Sequence, residues 1–509
     1  MHEYLVTDDS TLVAQRGDIL YRHRLIFVLV MWLIAIALPA AAQTPTNIST
    51  IYLPLVSANT IRPLGFETNT GWLYASNVYP QADNLNAHWV RLNTLSWREA
   101  QPTIGSPINW NAPSFTRFEA EVEAANALGL QIMAIIDDHP SWATGSNSIC
   151  AAILDQYHDE FAAFVRAVVA KYSQAPYYVR YWELGNEPDV DPGLVGELSP
   201  FGCWGVIEDE YYGGERYGRM LMTVTPQIRA ADPGAKVVFG GLLLARPENG
   251  PNNNDGKPFN FLEGALRAGA GPYFDILAFH SYPTYFEEVG VNNAHVDFDK
   301  HPKTLGGAWV SRGGATLGKI SFLRDVMQRY GINKPLFLNE TGLLCDDRYT
   351  SYGPVSGGCN AAAPILQQAQ ANHLIRSSMR AIAAGVESYI WYTLQGPGWR
   401  HAGLLDGSQH PRPAYIALKT AIEHLNEVRM PPQSFTGYGA GFEAYRFSGN
   451  GFVLDMVWSV DDTPRQITLP ASSFIAAYTR DGAPIAPAIS GGTATLNVGF
   501  ENIYLKRKP

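Results

Sequence analysis

The stretch Tyr181–Asp189, YWELGNEPD, decides how the rest of the chain is interpreted. Its first residues are apolar enough for a buried strand, but the pattern stops at Asn186 and Glu187, and Pro188 prevents it from continuing. One interpretation is that a barrel strand delivers Glu187 to the rim, where its carboxylate does chemistry. The alternative is an ordinary strand-to-loop turn that happens to contain a glutamate. The remaining sequence has to separate these two interpretations.

Strand-like and helical segments alternate on both sides of this stretch. Apolar runs predict eight strands, at 62–67, 89–95, 130–136, 178–185, 236–244, 274–282, 335–340 and 388–394. Amphipathic helical spacing separates several of them, as at 115–128, 157–172 and 369–384. Eight successive βα units indicate an α/β fold, a (β/α)8 TIM barrel, at 62–428. An open doubly wound sheet is the alternative, but no GxGxxG turn follows an early strand.

The character of the sequence changes after the last predicted helix, at 414–428. Pro431 and Pro432 predict a break in the chain, and short alternating segments follow, with turn sequences GNG and RDG between some of them. Residues 429–509 are therefore predicted to form a small all-β, sandwich-like domain. We expect this domain to support the barrel. A carbohydrate-binding role through Trp458 is the alternative.

The N-terminus carries a targeting or anchoring signal. Arg22–Arg24 precede the apolar run LIFVLVMWLIAIAL at 25–38 and the small residues Ala40–Ala42, which are the three parts of a secretory signal. The run is short for a membrane-spanning helix, which needs about 20 apolar residues, but the residues before it leave an uncleaved anchor open. We expect a signal peptide or membrane anchor at 1–42, a tether at 43–61, and a secreted or extracytoplasmic protein.

The four cysteines agree with export. Cys150, Cys203, Cys345 and Cys359 form no CxxC pair, which argues against a zinc site. In an oxidising compartment they can form two disulfides. Of the three pairings available, Cys345–Cys359 with Cys150–Cys203 is the one we favour.

Overall charge limits the partners of the chain. A formal net charge of −10 argues against binding to nucleic acid and to an anionic membrane surface. No nucleic-acid partner is therefore expected, and no membrane contact beyond the N-terminal anchor, if that anchor is retained.

Two glutamates stand where a barrel places its functional side chains, at the carboxyl ends of strands. Glu187 follows the fourth predicted strand, and Glu340 ends the seventh, within PLFLNET at 335–341. These strands face each other across the barrel mouth, so the two carboxylates are expected to converge. Hydrolysis of an acetal needs such a pair. A protonated carboxyl gives its proton to the leaving oxygen, and an ionised one attacks or stabilises the oxocarbenium-like centre.

The motifs around these glutamates resemble a known group of enzymes. GNEP at 185–188 and NET at 339–341 are similar to the acid/base and nucleophile signatures of clan A glycoside hydrolases, which are (β/α)8 retaining enzymes. The resemblance covers most of residues 62–428 and is closest to families 39 and 5. NEP alone is a weak signal, whereas both motifs in this order and at these strand ends are a strong one.

The resemblance implies roles for individual residues. It makes Glu187 the acid/base, Glu340 the nucleophile, and Arg91 the cation that keeps Glu340 ionised by lowering its pKa. The other substrate-binding residues that it implies are Asn186 at the sugar 2-hydroxyl, His280 and Tyr282 of a His-x-Tyr pair beside the carboxylates, and Trp391 as an aromatic platform under the sugar. The alternatives are an ordinary ion pair for Arg91 and a core position for Trp391.

One further candidate comes from the rim after the third predicted strand. The segment DDHPSWA at 137–143 places His139 there. His139 is a candidate contact for a sugar hydroxyl, and stabilisation of the loop is an equal alternative.

Together these features predict a secreted retaining β-glycoside hydrolase that cleaves O-glycosidic bonds of plant or microbial oligo- and polysaccharides, so that its partner is a carbohydrate substrate. No metal or cofactor is expected, because the twelve histidines form no cluster at strand ends. A non-catalytic carbohydrate-binding or cell-surface protein on a glycosidase barrel is the alternative function. The sugar, the linkage and exo or endo action stay open, since loop shape decides them.

Overall fold

The computed structural model describes residues 62–146, 151–190, 202–206, 208–244, 257–288, 290–304, 307–345, 359 and 363–509. The signal peptide or anchor at 1–42 and the tether at 43–61 lie outside the described residues. Within the described ranges, none of the helices combines the length and the apolar character that crossing a membrane requires.

Eight parallel strands close into a barrel, which confirms the predicted (β/α)8 fold. In chain order the strands are β1 (Leu64–Thr68), β2 (Trp89–Ser96), β3 (Gln131–Asp137), β4 (Tyr181–Leu184), β5 (Lys236–Leu242), β6 (Ile276–Ser281), β7 (Thr284–Tyr285), β8 (Leu336–Thr341), β9 (Leu344–Cys345) and β10 (Val386–Tyr392). The short strands β7 and β9 pair only with each other. The other eight form the barrel, at the predicted positions to within a few residues, and β10 pairs with β1 to close it.

Helices surround the barrel. They are α1 (Tyr79–Leu85), α2 (Trp97–Ala100), α3 (Pro113–Ala127), α4 (Ser141–Thr144), α5 (His158–Tyr172), α6 (Gly214–Ala231), α7 (Phe261–Arg267), α8 (Ala315–Arg329), α9 (Pro364–Ala383) and α10 (Pro413–Leu425). Pro113, Pro364 and Pro413 each begin a helix, where the missing N–H is no loss and the fixed φ suits the first turn. Buried helix faces and outward-facing strand residues form one continuous core.

Inside the barrel, an apolar layer lies below a polar one. The apolar layer consists of Trp89, Met133, Val238, Ile276, Ala278, Phe337 and Ile390. Side chains alternate along a strand, so the next inward-facing residue after Trp89 on β2 is Arg91, one step closer to the carboxyl end. The apolar layer therefore seals the barrel from below, and charged side chains collect at the mouth.

The C-terminal residues form two antiparallel sheets. Their strands are β11 (Val428–Ser434), β12 (Phe442–Gly449), β13 (Val453–Ser459), β14 (Arg465–Pro470), β15 (Phe474–Thr479), β16 (Ala488–Ser490), β17 (Thr493–Val498) and β18 (Ile503–Arg507). One sheet has the order β11-β12-β13-β18-β15, and the other β14-β17-β16. Val457 of the first sheet and Leu496 of the second share one apolar core, so the two sheets make the predicted sandwich.

Pro431 and Pro432 do not break the chain, contrary to the expectation from sequence. Both lie within β11, which is an edge strand. Its pairing with β12 is irregular between Arg429 and Gln433. The missing N–H groups of the prolines are tolerated there because edge strands and irregular positions do not need them for the ladder.

The five-stranded sheet packs its other face on the barrel. Trp458 and Tyr504 are fully buried in this contact, so Trp458 supports the barrel and is not available at the surface for carbohydrate. An ion network around the buried Arg380 reinforces the contact. Arg380 of α9 bonds Asp297 at 2.6 Å and Glu443 of β12 at 2.7 Å.

One of the two predicted disulfides is present. Cys345 and Cys359 are bonded, with their Cα atoms 5.4 Å apart, within the normal range. The second predicted pair, Cys150–Cys203, includes Cys150, which lies outside the described residues, and stays a prediction.

Candidate active site

The two glutamates singled out in the sequence lie together at the carboxyl end of the barrel. Glu187 follows β4, and Glu340 lies near the end of β8. One carboxylate oxygen of each and one ring nitrogen of His280 all lie within 4.8 Å of one another. These three are also the described residues whose donor atoms lie close enough together to hold a metal ion. The expected convergence of the fourth and seventh barrel strands is therefore present.

Neighbouring strands hold the turn that carries Glu187. The N–H of Asn186 donates to Oδ2 of Asp137 at 2.9 Å, and the N–H of Glu187 donates to the carbonyl of Gly241 at 3.0 Å. Glu187 has a φ of +43°, a left-handed conformation that a glutamate rarely adopts. The two hydrogen bonds stabilise this conformation and thereby direct the carboxyl towards the mouth.

Glu187 has the environment of a general acid. Its Oε1 lies 2.7 Å from Nδ1 of His280, and its side chain is buried. Burial raises the pKa of Glu187 well above its ordinary value, and the charge of Glu340 raises it further. Burial, aided by the cations Arg91 and Lys319, lowers the pKa of His280, so this ring stays neutral. Glu187 therefore keeps its proton.

Glu340 is the better stabilised anion of the pair. Nη1 of Arg91 donates to its Oε1, and the hydroxyl of Tyr282 donates to its Oε2 at 2.6 Å. Burial raises the pKa of Glu340, while Arg91 and Tyr282 lower it. Because these donors bind the charged form, Glu340 ionises before Glu187 does. Two carboxyl groups in different states of protonation are what glycoside hydrolysis needs.

Arg91 links the nucleophile candidate to three further side chains. It is fully buried inside the barrel. Besides Glu340, it donates to Oε2 of Glu67 at 2.7 Å, to both oxygens of Glu183 at 2.8 and 3.0 Å, and to Oδ1 of Asn186 at 2.7 Å. Arg91 thus occupies the position that the resemblance implies. Since Asn186 accepts through its oxygen, its amide nitrogen remains a hydrogen-bond donor.

Glu67 and Glu183 belong to this cluster but received no role from the sequence. A signal exists for both, because each is a charged residue within a strand that is otherwise buried, and a buried charge needs a partner. Glu67 also stands at the end of the first predicted strand, the same criterion that singled out Glu340.

Lys319 of α8 is a buried cation that sequence reasoning missed. Its Nζ donates to the carbonyls of Leu243 and His280 at 2.7 and 2.8 Å, so it fixes the carboxyl ends of β5 and β6. Burial lowers the pKa of Lys319 to about 8. No sequence pattern marks this residue, because a lysine on an amphipathic helix is usually solvated.

His139 lies on the rim after β3 but packs among aromatic rings. It makes edge contacts with Trp97, Phe161 and Trp204. Burial lowers the pKa of His139 to about 4, and the ring bonds the backbone of Ala151. These contacts support the alternative that His139 stabilises the loop, and they do not support a sugar contact.

The expectation that Trp391 forms the aromatic platform is wrong. Its side chain is fully buried in the core between barrel and helices, and its Nε1 donates to the carbonyl of Ala402 at 2.7 Å. Ile390, one residue earlier, belongs to the inner apolar layer. Because side chains alternate along a strand, Tyr392 is the next inward-facing residue. Its ring lies edge-on to Tyr282, 6.4 Å between centroids, at the mouth.

The closed barrel with this carboxylate pair defines the class of the protein, a clan A glycoside hydrolase. The chain belongs to the cellulase family, glycosyl hydrolase family 5, whose family model matches residues 57–351, more than half of its length. No curated protein matches the sequence.

Solved structures share the fold at low sequence identity. A family 39 glycoside hydrolase from the gut symbiont Bacteroides cellulosilyticus has a TM-score of 0.61 and 15% identity, covering 88% of this chain and 81% of that one. A family 30 endoxylanase from Clostridium papyrosolvens has a TM-score of 0.55 and 14% identity, covering 89% and 97%. A family 39 β-xylosidase from Caulobacter crescentus has a TM-score of 0.55 and 13% identity, covering 89% and 97%.

Proposed function

We propose that the protein is a secreted retaining β-glycoside hydrolase that cleaves O-glycosidic bonds of plant or microbial oligo- and polysaccharides by double displacement. Glu187 is the acid/base and Glu340 the nucleophile. The observation that carries this proposal is that one carboxylate oxygen of Glu187 lies within 4.8 Å of one carboxylate oxygen of Glu340. Retaining enzymes hold their carboxyl groups about 5–5.5 Å apart, whereas inverting enzymes need about 6.5–9.5 Å to admit a water molecule.

In the first step, Glu187 gives its proton to the glycosidic oxygen while an ionised oxygen of Glu340 attacks the anomeric carbon. The bond from that carbon to the leaving oxygen breaks, and an ester between the sugar and Glu340 forms. Arg91 and Tyr282 keep Glu340 ionised until the attack. The buried position of Glu187 raises its pKa and so favours the protonated form that this step needs.

In the second step, the ionised Glu187 takes a proton from a water molecule, and the water oxygen attacks the anomeric carbon. The ester bond to Glu340 breaks, so the sugar leaves with the configuration it had in the substrate. The neutral ring of His280, 2.7 Å from Glu187, positions this carboxyl in both steps. The amide of Asn186 donates to the 2-hydroxyl, a contact that strengthens in the transition state.

The substrate class and the location are part of the proposal. The similar structures include an endoxylanase and a β-xylosidase, and the family is that of cellulases. The activities of these similar proteins put β-linked xylosides and glucosides first among the substrates to test. Secretion is proposed from the apolar run at 25–38 and is supported by the Cys345–Cys359 disulfide, since such bonds persist in oxidising compartments.

The test is to compare Glu340→Gln and Glu187→Gln with Glu263→Gln, which changes a surface carboxylate of α7. Aryl glycosides and polysaccharides are screened, and NMR follows the anomer released first. Glu187→Gln should lower kcat/KM, which covers the steps up to formation of the ester, by about 10²–10⁴-fold with a poor leaving group, and much less with an activated one that needs no proton. Glu340→Gln should abolish turnover of both, and Glu263→Gln should resemble the wild type.

Two results would contradict the proposal. Unchanged turnover in Glu340→Gln would reject Glu340 as the nucleophile, whereas a wild type that hydrolyses none of the glycosides would favour the non-catalytic carbohydrate-binding alternative. An inverted anomer in the first turnovers would reject double displacement, whatever the effect of the substitutions.

A further inference from the structure

Glu67 gives the mouth of the barrel a third carboxylate that double displacement does not use. It lies near the end of β1, in register with Arg91 on β2 and Tyr392 on β10. Its exposed fraction is 1%, and Nη1 of Arg91 donates to its Oε2 at 2.7 Å. The same nitrogen donates to Glu340. Glu67 therefore lies beside the proposed nucleophile.

The three carboxylates around Arg91 differ in the number of donors that they have. Glu183 accepts two N–H groups of Arg91 and a backbone N–H of β5 at 2.8 Å. Glu340 accepts from Arg91 and from Tyr282. Glu67 accepts from Arg91 alone, and its Oε1 has no hydrogen-bond partner among the described residues. Glu67 is thus the least stabilised anion of the three.

One guanidinium cannot balance three buried anions, and the proton goes to the carboxyl with the fewest donors. Burial raises the pKa of Glu67 well above its ordinary value, and the charge of Glu340 raises it as well, although Arg91 acts in the opposite direction. Glu67 is then a neutral carboxylic acid, which both donates and accepts a hydrogen bond. A sugar hydroxyl has the same capacity.

We propose that Glu67 binds one hydroxyl group of the sugar unit being cleaved, at a position where the neighbouring charge of Glu340 favours uncharged sugars. The proposal rests on the proposed function, which places that sugar unit against Glu340. The free Oε1 of Glu67 is the atom that makes the contact. A carboxylate or sulfate on the sugar at this position would meet the ionised Glu340 nearby, and such a like-charge contact acts against binding.

A purely structural role for Glu67 makes a different prediction. Arg91 already has Glu183 as a partner through two hydrogen bonds. If Glu67 served only as another counter-ion, replacing it would slow every substrate by a similar factor. A contact with the sugar instead couples Glu67 to one hydroxyl group and to no other.

The experiment compares the full-length wild-type enzyme with the full-length variants Glu67→Gln and Glu67→Met. The substrates are the aryl glycoside that the wild type hydrolyses best and its monodeoxy analogues, one for each ring hydroxyl. The ratio of kcat/KM for the parent to that for each analogue is measured. For the wild type, kcat/KM should be about 10–100-fold lower for the analogue that lacks the hydroxyl group contacted by Glu67 than for the parent. Glu67→Met should reduce that ratio to within about threefold and leave the other ratios unchanged.

Further variants and substrates make the result decisive. Glu67→Gln, which keeps the shape of the side chain, should change the same single ratio by at least about threefold, and it decides the matter if Glu67→Met does not fold. Glu121→Gln is the control, since Glu121 is a buried carboxylate of α3 that bonds the N–H of Gly71 and not Arg91. It should leave all ratios unchanged. The corresponding aryl glucuronide should react at least about tenfold more slowly than the neutral parent.

The proposal is overturned if the Glu67 variants leave every ratio unchanged or shift all of them equally, or if the glucuronide is preferred. These outcomes are distinct from a failure of the proposed function. That failure would show as a wild type that hydrolyses no parent glycoside, or as a Glu340→Gln variant that remains active.

Discussion

Replacing Tyr282 with phenylalanine removes one of the two side-chain donors to the proposed nucleophile. The hydroxyl of Tyr282 donates to Oε2 of Glu340 at 2.6 Å within a buried site. The phenylalanine ring can keep the edge contacts with Tyr392 and Trp399. After the substitution, Arg91 is the remaining side-chain donor to Glu340, so the variant isolates the contribution of one hydrogen bond.

The size of the effect follows from the charge on the acceptor. A hydrogen bond to a charged group contributes about 1.5–3 kcal/mol, and one pKa unit corresponds to about 1.4 kcal/mol. Losing the donor destabilises the ionised form, so the pKa of Glu340, which burial already raises, should rise further. The two energies correspond to a displacement of the acidic limb of the pH profile by about 1–2 pH units. The reaction needs ionised Glu340, and activity is lost as pH falls through this pKa. The acidic limb should therefore move to higher pH.

The assay is kcat/KM for an aryl glycoside across pH, which reports the pKa values of the free enzyme. The basic limb depends on the raised pKa of Glu187 and should move little. Tyr285→Phe is the matched control, because Tyr285 is also buried but its hydroxyl lies 3.5 Å from Glu287, away from the carboxylate pair. Its pH profile should match that of the wild type.

Two pH profiles of Tyr282→Phe would refute this reasoning. If Tyr282→Phe lowered kcat/KM by the same factor at every pH and left the acidic limb in place, the hydroxyl would not control the ionisation of Glu340. A limb that moved to lower pH would contradict the sign of the argument.

Two further predictions concern stability. Arg380→Met removes the buried cation that the partly buried carboxylates of Asp297 and Glu443 share, so the free energy of unfolding measured in urea should fall by about 1–3 kcal/mol, and a loss below about 1 kcal/mol, the range of an exposed ion pair, would contradict the role given to the network. Replacing both Cys345 and Cys359 with serine opens a loop with a sequence separation of 14 residues and should cost about 3 kcal/mol in calorimetric unfolding. An unchanged melting temperature would show that the bond does not stabilise the fold.

The barrel was predictable because local patterns specify it. Each barrel strand is a short apolar run that is buried on both faces, and such runs alternating with amphipathic helices have few other solutions. The pair of glutamates at the barrel mouth followed from the same pattern, since Glu187 and Glu340 stand where apolar strands end. The sandwich was predictable for the same reason, while the position of Pro431 depended on which strand became an edge.

The expectations that the structure did not support, for Trp391 and for a sugar contact of His139, depended on facing direction or on distant neighbours. Trp391 and Tyr392 are adjacent aromatic residues on one strand, and their side chains point to opposite faces. An error of one position along the strand therefore selects a residue in the core instead of the residue at the barrel mouth. His139 stands on the predicted rim, but its surroundings come from Trp97 and Phe161, which lie on other elements.

The sequence by itself determined the eight strands, the order of the elements and the two glutamates at strand ends, because these follow from periodicity within short segments. Only the tertiary structure brought Glu67, Glu183 and Glu340 around the single guanidinium of Arg91. Which carboxyl keeps a proton depends on distances between residues far apart in the chain. Those distances exist only once the barrel has closed.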